Sequence, residues 1–140
     1  MNPAPKSAFK VLHPAGWAAP SGYSNGIVAS GGRHVLLAGQ IGWNPARALF
    51  ETDHFAEQVR QTFRNILTLL AEAGGEPRHL VRLTWYITDR DAYVAARQEI
   101  GRAYRELFGA HYPAMSVIVV AGLLEERAQV EIEATAVVPE

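Results

Sequence analysis

The sequence contains no cysteine, and this absence removes several kinds of site at once. Without thiols the chain has no disulfide framework, no thiolate metal site and no cysteine nucleophile. Its five histidines, His13, His34, His54, His79 and His111, form neither a His-x-His nor a His-Glu-x-x-His pattern. Because those spacings are the usual signals of a histidine metal site, the sequence predicts no bound metal.

Long apolar runs are missing too. No stretch approaches the roughly 20 apolar residues that cross a bilayer, and residues 1–12 carry lysines but no apolar segment of a signal peptide. Eleven of the 13 basic residues are arginines, scattered from Arg33 to Arg127 without a run. The sequence therefore predicts a cytoplasmic protein with no membrane partner, and the missing basic patch argues against nucleic acid as a partner.

What the chain does contain is enough apolar residues for one folded core. Its 140 residues are 49% hydrophobic and 19% charged, and the formal net charge is -1. A chain of this size buries roughly two-thirds of its unfolded surface on folding. Residues 1–140 are therefore expected to form a single domain.

Changes in hydrophobic period divide the chain into strands and helices. Alternating apolar and polar residues mark strands, whereas apolar residues three or four apart mark amphipathic helices. The predicted elements are strands at 26–30 and 34–40, a helix from Thr52 or Asp53 that ends before Gly74, a strand at 81–88, a helix from Asp89 or Asp91 to Phe108, and strands at 114–120 and 129–138. Gly31 and Gly32 predict that the first two strands form a hairpin. This β-β-α-β-α-β-β order predicts an α+β fold with a mixed sheet and both helices on one face.

The strand at 114–120 is apolar on both faces from Met115 to Val120. Two helices cover only one face of such a sheet, so the other face needs a second cover. Self-association supplies one, because a large exposed apolar face is an aggregation liability. A central position in a closed monomeric barrel is the alternative.

Glu131 and Glu133 stand two residues apart in the last predicted strand. At about 3.3 Å per residue, their carboxylates lie on one face of the strand, roughly 7 Å apart. In a subunit interface one of them is either paired or has a raised pKa, as general acid or base catalysis requires. An exposed or salt-bridged strand face is the other interpretation, and spacing alone favours it.

Four short motifs stand in a fixed order along nearly the whole chain. They are Gly22-Tyr23-Ser24-Asn25-Gly26, Leu37-Ala38-Gly39-Gln40-Ile41, Tyr112-Pro113-Ala114-Met115-Ser116 and Val130-Glu131-Ile132-Glu133-Ala134. In these motifs the chain resembles the Rid family, also called the YjgF family. The resemblance implies a chorismate-mutase-like fold and a homotrimer with three clefts between its subunits.

Members of the RidA branch of that family hydrolyse reactive imines and enamines, such as 2-aminoacrylate, to a keto acid and ammonia. The resemblance therefore implies a small-molecule substrate and no cofactor. It implies that Tyr23 is an aromatic residue of the cleft and that Glu131 is the carboxylate that positions or activates water. It also places Met115, Ser116 and Val117 at the cleft.

Three positions depart from the RidA pattern. Met115 replaces the arginine that binds the substrate carboxylate, Val117 replaces a frequent cysteine, and Gly101 stands where the second helix often carries an asparagine. A thioether cannot make the bidentate, charge-assisted contact that a guanidinium makes with a carboxylate. The substrate is therefore expected to differ from 2-aminoacrylate.

Two functions stay open at this point. The first is a hydrolase or deaminase for a less anionic or more aromatic imine, with Met115 and Trp43 shaping an apolar pocket and another arginine, for example from a neighbouring subunit, binding any charge. The second is a trimer that binds a small metabolite or acts through a protein partner without catalysis. The retained Glu131 and Tyr23 favour the enzyme, whereas the lost arginine favours binding. Ribonuclease activity, a label that some relatives carry, ranks last because no basic patch is present.

Overall fold

The structure is a computed structural model, and it describes residues 9–140. This part of the chain contains six strands, three α-helices and one 3-10 turn. In chain order they are β1 (Phe9–Leu12), β2 (Gly26–Ala29), β3 (Arg33–Ile41), α1 (Phe55–Glu72), the 3-10 turn (Pro77–His79), β4 (Leu80–Ile87), α2 (Arg90–Ala95), α3 (Arg97–Phe108), β5 (Ala114–Val119) and β6 (Val130–Val138). None of the helices in this part is both long and apolar enough to cross a membrane. Compared with the prediction, one strand is added at the start and the second helix is divided in two.

Four of the strands form a mixed sheet in the order β3-β6-β4-β5. β6 pairs antiparallel with both β3 and β4, whereas β4 and β5 are parallel. A parallel pair needs a crossover connection, and the segment with α2 and α3 supplies it. The predicted α+β class with a mixed sheet is confirmed.

The two long helices, α1 and α3, pack on one face of this sheet, as predicted. Alternation puts Leu83, Trp85 and Ile87 of β4 on that face, each at most 3% exposed. Phe63 of α1 meets Trp85 edge to face with ring centroids 5.5 Å apart, and it meets Phe108 of α3 at 4.9 Å. Such aromatic pairs add about 0.5–1.5 kcal/mol beyond the burial of their area. The core therefore ties both helices to the centre of the sheet.

The predicted hairpin between the first two apolar runs is wrong. β2 pairs with β1 in a separate two-stranded sheet, and β3 pairs with β6. Gly31 and Gly32 do bend the chain, with φ of 71° and 72°. A β-carbon at Gly32 would lie 2.5 Å from the carbonyl oxygen of Val138, so the chain enters β3 alongside the end of β6. A local turn signal cannot reveal that the partner is a strand at the other end of the sequence.

The N-cap of α1 also differs from the prediction. His54 occupies this position without a side-chain cap, rather than Thr52 or Asp53. The Thr52 hydroxyl accepts a hydrogen bond from the His54 backbone N–H at 3.0 Å, whereas Asp53 pairs with Arg127 at 2.9 Å. The side chains of Thr52 and Asp53 therefore bind groups outside α1, and neither caps its first turn.

The second predicted helix is interrupted. α2 ends at Ala95 and α3 begins at Arg97, and Ala96 between them has φ of −94° and ψ of 3°. Neither glycine nor proline stands at this break, so no sequence signal marks it. Gly109, with φ of 73°, follows the last residue of α3 as predicted.

The start of β4 differs by one residue from the predicted alternation. Leu80 is fully buried, whereas Val81 is only half-buried. The pairing of β4 with β6 shifts register between Leu80 and Arg82, and this irregularity turns Leu80 into the core. From Arg82 onward the predicted alternation is present.

β5 is an edge strand of an open sheet, so the alternative of a closed barrel is wrong. Its residues Val117, Ile118 and Val119 are 39%, 43% and 53% exposed. The chain by itself therefore does not bury this strand on both faces. The cover expected from a second subunit stays a prediction.

Candidate functional site

Two cavities contain five of the six residues that the sequence places at the site. The larger has a volume of about 550 Å³, and Tyr23, Met115 and Val117 line it. The smaller has a volume of about 300 Å³, and Trp43 and Glu131 line it. Ser116 lines neither of these two cavities, because its side chain alternates to the sheet face opposite Met115.

The residues on either side of Tyr23 hold it at the larger cavity. Gly22 has φ of 78°, a left-handed conformation that suits glycine. The Ser24 hydroxyl donates to the carbonyl oxygen of Tyr112, and the Ser24 backbone N–H donates to that of Pro113 at 3.1 Å. These bonds fasten residues 22–24 beside the start of β5, which places Tyr23 next to Met115.

Aromatic side chains form much of the wall of the larger cavity. Trp85 and Tyr93 meet edge to face with ring centroids 6.1 Å apart, and Tyr104 stacks on Tyr112 at 5.1 Å. The Tyr104 hydroxyl donates to the backbone carbonyl of His111. Burial raises the pKa of both Tyr93 and Tyr104. The two phenols therefore stay neutral at physiological pH, and the wall is aromatic without being anionic.

Two arginines that the sequence analysis did not single out line the same cavity. Arg97 and Arg105 lie on α3, four residues before and after Gly101, which also lines the cavity. Residues four apart lie on one face of a helix. This spacing was visible in the sequence, but nothing local showed that the face meets Met115.

The smaller cavity holds Glu131 against a glycine. A β-carbon at Gly39 would lie 2.8 Å from Cδ of Glu131, so a larger residue at this position would force the Glu131 side chain to move. The pairing of β3 with β6 shifts register between Leu37 and Gln40, which places Gly39 in an irregular part of the strand. The side-chain amide of Gln40 donates to the carbonyl oxygen of Ala38 at 2.9 Å. The Leu37–Ile41 motif therefore forms the surface against which the Glu131 side chain packs.

Glu133 lies on the same strand face as Glu131, as predicted. Neither glutamate forms an ion pair with a residue in the range 9–140. Burial raises the pKa of the Tyr86 phenol, and so do the negative charge of Glu133 and its hydrogen bond with the phenol. Glu133 is exposed and Glu131 is half-buried. The interpretation of an exposed strand face therefore fits Glu133 better than Glu131.

One chain holds Met115 and Glu131 on opposite faces of the sheet. Met115 stands beside Leu83, which is fully buried under the helices. Glu131 stands beside Tyr86, which alternates to the other face. The two cavities share no lining residue, and Met115 and Glu131 lie on opposite faces of the sheet within one chain.

The sequence matches a known family over most of its length. Residues 15–138 match the profile of a family described as Endoribonuclease L-PSP. A RutC family protein of Haemophilus influenzae is 34% identical over 106 residues, which cover 76% of this chain and 80% of the relative. A human 2-iminobutanoate/2-iminopropanoate deaminase is 26% identical over 115 residues, which cover 82% of this chain and 79% of the relative.

Solved structures agree with the sequence match. The Rid family protein YyfB from Yersinia pestis, a protein of unknown function, superposes with a TM-score of 0.82 at 30% identity, over 94% of this chain and 99% of that one. Rv2704 from Mycobacterium tuberculosis, of the YjgF/YER057c/UK114 family, gives a TM-score of 0.61 at 32% identity, over 84% and 87%. The chain described here belongs to this family of endoribonuclease L-PSP, YjgF and Rid proteins.

Proposed function

We propose that this protein is a hydrolase that deaminates a small imine or enamine other than 2-aminoacrylate, in a cleft shared by two subunits of a homotrimer. The Glu131 carboxylate is the observation that carries the proposal. It lies against Gly39 at the wall of the smaller cavity, half-buried and without an ion pair among residues 9–140. A carboxylate in this setting can accept a proton from water. The human relative named as an imine deaminase supports this reaction class.

In the proposed homotrimer, one cleft combines the larger cavity of one subunit with the smaller cavity of the next. The larger cavity lies on the helix side of the sheet edge and the smaller one lies on the β3 side. A head-to-tail ring brings different surfaces of neighbouring subunits together. In the proposed homotrimer, Met115 and Tyr23 of one subunit therefore face Glu131 and Trp43 of the next.

The proposed reaction consumes one water and releases ammonia. Glu131 takes a proton from water as the water oxygen attacks the imine carbon, and it then returns this proton to the nitrogen, which restores the carboxylate. The nitrogen of the resulting carbinolamine then accepts the hydroxyl proton, the C–N bond breaks, and ammonia leaves as the C=O bond forms. Because the imine carbon is already electrophilic, an oriented water and one proton acceptor suffice. We therefore propose that no cofactor takes part.

The wall of the larger cavity supports a bulkier substrate than 2-aminoacrylate. Met115 presents a flexible thioether where the RidA pattern has arginine, and Val117 adds a second apolar side chain. Five aromatic residues complete the wall, namely Tyr23, Trp85, Tyr93, Tyr104 and Tyr112. A volume of about 550 Å³ lies within the usual range of small-molecule sites.

Ammonia release from imines tests the role of Glu131. The imines are generated in the assay by an amino-acid oxidase, and spontaneous hydrolysis is subtracted. Glu131→Gln keeps the size of the side chain and removes the proton acceptor, so kcat is expected to fall about 100-fold or more. Glu133→Gln, two residues away on the same strand face, is the matched control and is expected to stay within about twofold of wild type.

Two results would contradict the proposal in different ways. Equal ammonia release by wild type and Glu131→Gln rules out water activation by this carboxylate. No release by the wild type from any imine of the panel rules out the enzyme and favours a trimer that binds a metabolite without catalysis.

A further inference from the structure

Two exposed arginine side chains at the larger cavity have no carboxylate partner among residues 9–140. Among the described residues that line this cavity, only Arg97 and Arg105 are charged. Neither forms an ion pair with any residue in 9–140, whereas Arg60 on α1 pairs with Glu106 at 2.6 Å. The cavity therefore carries a positive charge that an anionic ligand can neutralise.

Gly101 makes room for one of these groups. A β-carbon at this position would lie 3.3 Å from Nη1 of Arg105, which is tighter than ordinary van der Waals contact. Glycine inside a helix costs about 1 kcal/mol relative to alanine, and Gly101 is not among the glycines with positive φ. Backbone conformation therefore gives no reason for a glycine here, whereas a β-carbon would displace the Arg105 guanidinium by a few tenths of an ångström.

The two arginines differ in the hydrogen bonds that their side chains form within the chain. Nε of Arg97 donates to the carbonyl oxygen of Val94 at 3.4 Å, which anchors this side chain to the end of α2. The Arg105 guanidinium makes no hydrogen bond with residues 9–140. The N–H groups of the Arg105 guanidinium are therefore available to donate hydrogen bonds to a ligand, and Arg97 adds a second positive charge to the cavity.

A buried donor on the aromatic wall also lacks a partner. Trp85 is 3% exposed and its side chain lines the larger cavity. Its indole Nε1 finds no hydrogen-bond acceptor within the described part of the chain. An unsatisfied buried donor costs about 1–3 kcal/mol.

We propose that Arg105 binds the carboxylate of an aromatic 2-imino acid, whose ring packs against Met115 and the aromatic wall of the larger cavity. This inference rests on the deaminase proposed above and names its substrate class. The carboxylate-binding group thereby lies on α3 instead of at position 115 of β5, and the space beside β5 becomes available to an aromatic side chain. Planar guanidinium donors match a carboxylate better than an ammonium does.

Calorimetric titration with stable product analogues tests the carboxylate contact without any turnover. Phenylpyruvate has both the ring and the carboxylate, its methyl ester lacks the charge, and pyruvate lacks the ring. The wild-type oligomer is expected to bind phenylpyruvate more tightly than either of the other two. Arg105→Met is expected to weaken phenylpyruvate binding about 10- to 100-fold and to leave binding of the ester unchanged. Arg102→Met changes another exposed arginine of the same helix, one that does not line the cavity, so this variant is the matched control and is expected to bind like wild type.

A second variant fills the cavity beside Arg105 and keeps the charge of this residue. Gly101→Leu adds a side chain inside the cavity that Gly101 lines, next to the Arg105 guanidinium, and improves the helix propensity of α3. It is expected to keep or raise the melting temperature while weakening phenylpyruvate binding as Arg105→Met does. This result would show that the loss of binding does not come from unfolding.

The outcomes distinguish this inference from the proposed function. Equal phenylpyruvate binding by wild type and Arg105→Met overturns the inference even if imines are deaminated. Loss of binding in Arg105→Met with no deamination by the wild type supports the carboxylate site and rejects the enzyme. Failure of the wild type to bind phenylpyruvate, or tighter binding of phenyl phosphate, overturns the assigned ligand class.

Discussion

Met115 and Arg105 lie on different elements and line the same cavity. The side chain at position 115 decides whether the β5 side of the cavity is apolar or charged, while Arg105 supplies charge from α3. Met115 stands beside the buried Leu83, so it lies on the helix side of the sheet, on the face opposite the Glu131 of its own chain. A substitution at position 115 can therefore change which ligands fit without altering the contacts of Glu131 within the same chain.

Met115→Arg is expected to exchange one substrate class for another. A guanidinium on β5 offers small 2-imino acids the contact of the RidA pattern, and it takes space from an aromatic ring. We expect the kcat/KM ratio of 2-iminopropanoate to the phenylalanine-derived imine to rise at least about 10-fold. Met115→Leu, which stays apolar, is the control and is expected to leave the ratio nearly unchanged. A ratio that does not move in Met115→Arg would mean that the cavity does not hold the substrate.

At the scale of elements, predictions from periodicity succeeded where one face of an element is buried. The alternation of β4 from Arg82 to Ile87 and the helical spacing of α1 both reflect one-sided packing on the core. The predicted hairpin is wrong because strand pairing depends on segments far apart in sequence, and β3 pairs with β6. The break at Ala96 has no local signal, since neither glycine nor proline stands there.

The 3-10 turn before β4 contains a histidine with a pH-dependent role. Nδ1 of His79 accepts the backbone N–H of Glu76 at 2.9 Å, which requires an unprotonated Nδ1. Burial lowers the pKa of His79 below its usual value of 6.5; nearby Arg78 and His111 act in the same direction, and Glu76 opposes them. A histidine that is neutral when folded contributes stability above the unfolded pKa. That stability is lost as the pH falls below about 6.5 towards the lower folded pKa.

Unfolding by urea at pH 7 and pH 5 measures this effect. The wild type is expected to lose more unfolding free energy over this interval than His79→Gln, because glutamine accepts the same N–H and does not titrate. His34→Gln changes an exposed histidine of β3 and is expected to behave like the wild type. Equal losses in wild type and His79→Gln would assign the pH dependence to other groups.

For the whole molecule, the exposed apolar sheet face at β5 is the feature that supports the proposed assembly. Ile118 stands beside Tyr86 on the face away from the helices and is 43% exposed. Ile118→Glu places a charge on this face, so we expect the proposed trimer to dissociate. Activity is expected to fall at least about 10-fold with it, because Met115 and Glu131 of one chain lie on opposite faces.

Light scattering over a range of protein concentrations gives the mass in solution. Leu69→Glu on α1, where leucine is 38% exposed on the helix side, is the matched control and is expected to keep the wild-type mass and activity. A wild type that is monomeric at all concentrations would remove the need for a shared cleft. An oligomer of Ile118→Glu with full activity would place the interface elsewhere.

Local patterns were enough to establish the fold class, the core faces of the main helices and strands, and the family motifs around Tyr23, Met115 and Glu131. These features depend on residues close together in sequence, where periodicity and turn chemistry act directly. Strand order and register depend on contacts between distant segments, and they alone put Arg105 in the cavity of Met115 and Glu131 on the opposite face. The loss of the arginine at position 115 could therefore be read from the sequence, but the guanidinium that we propose in its place could only be found in three dimensions.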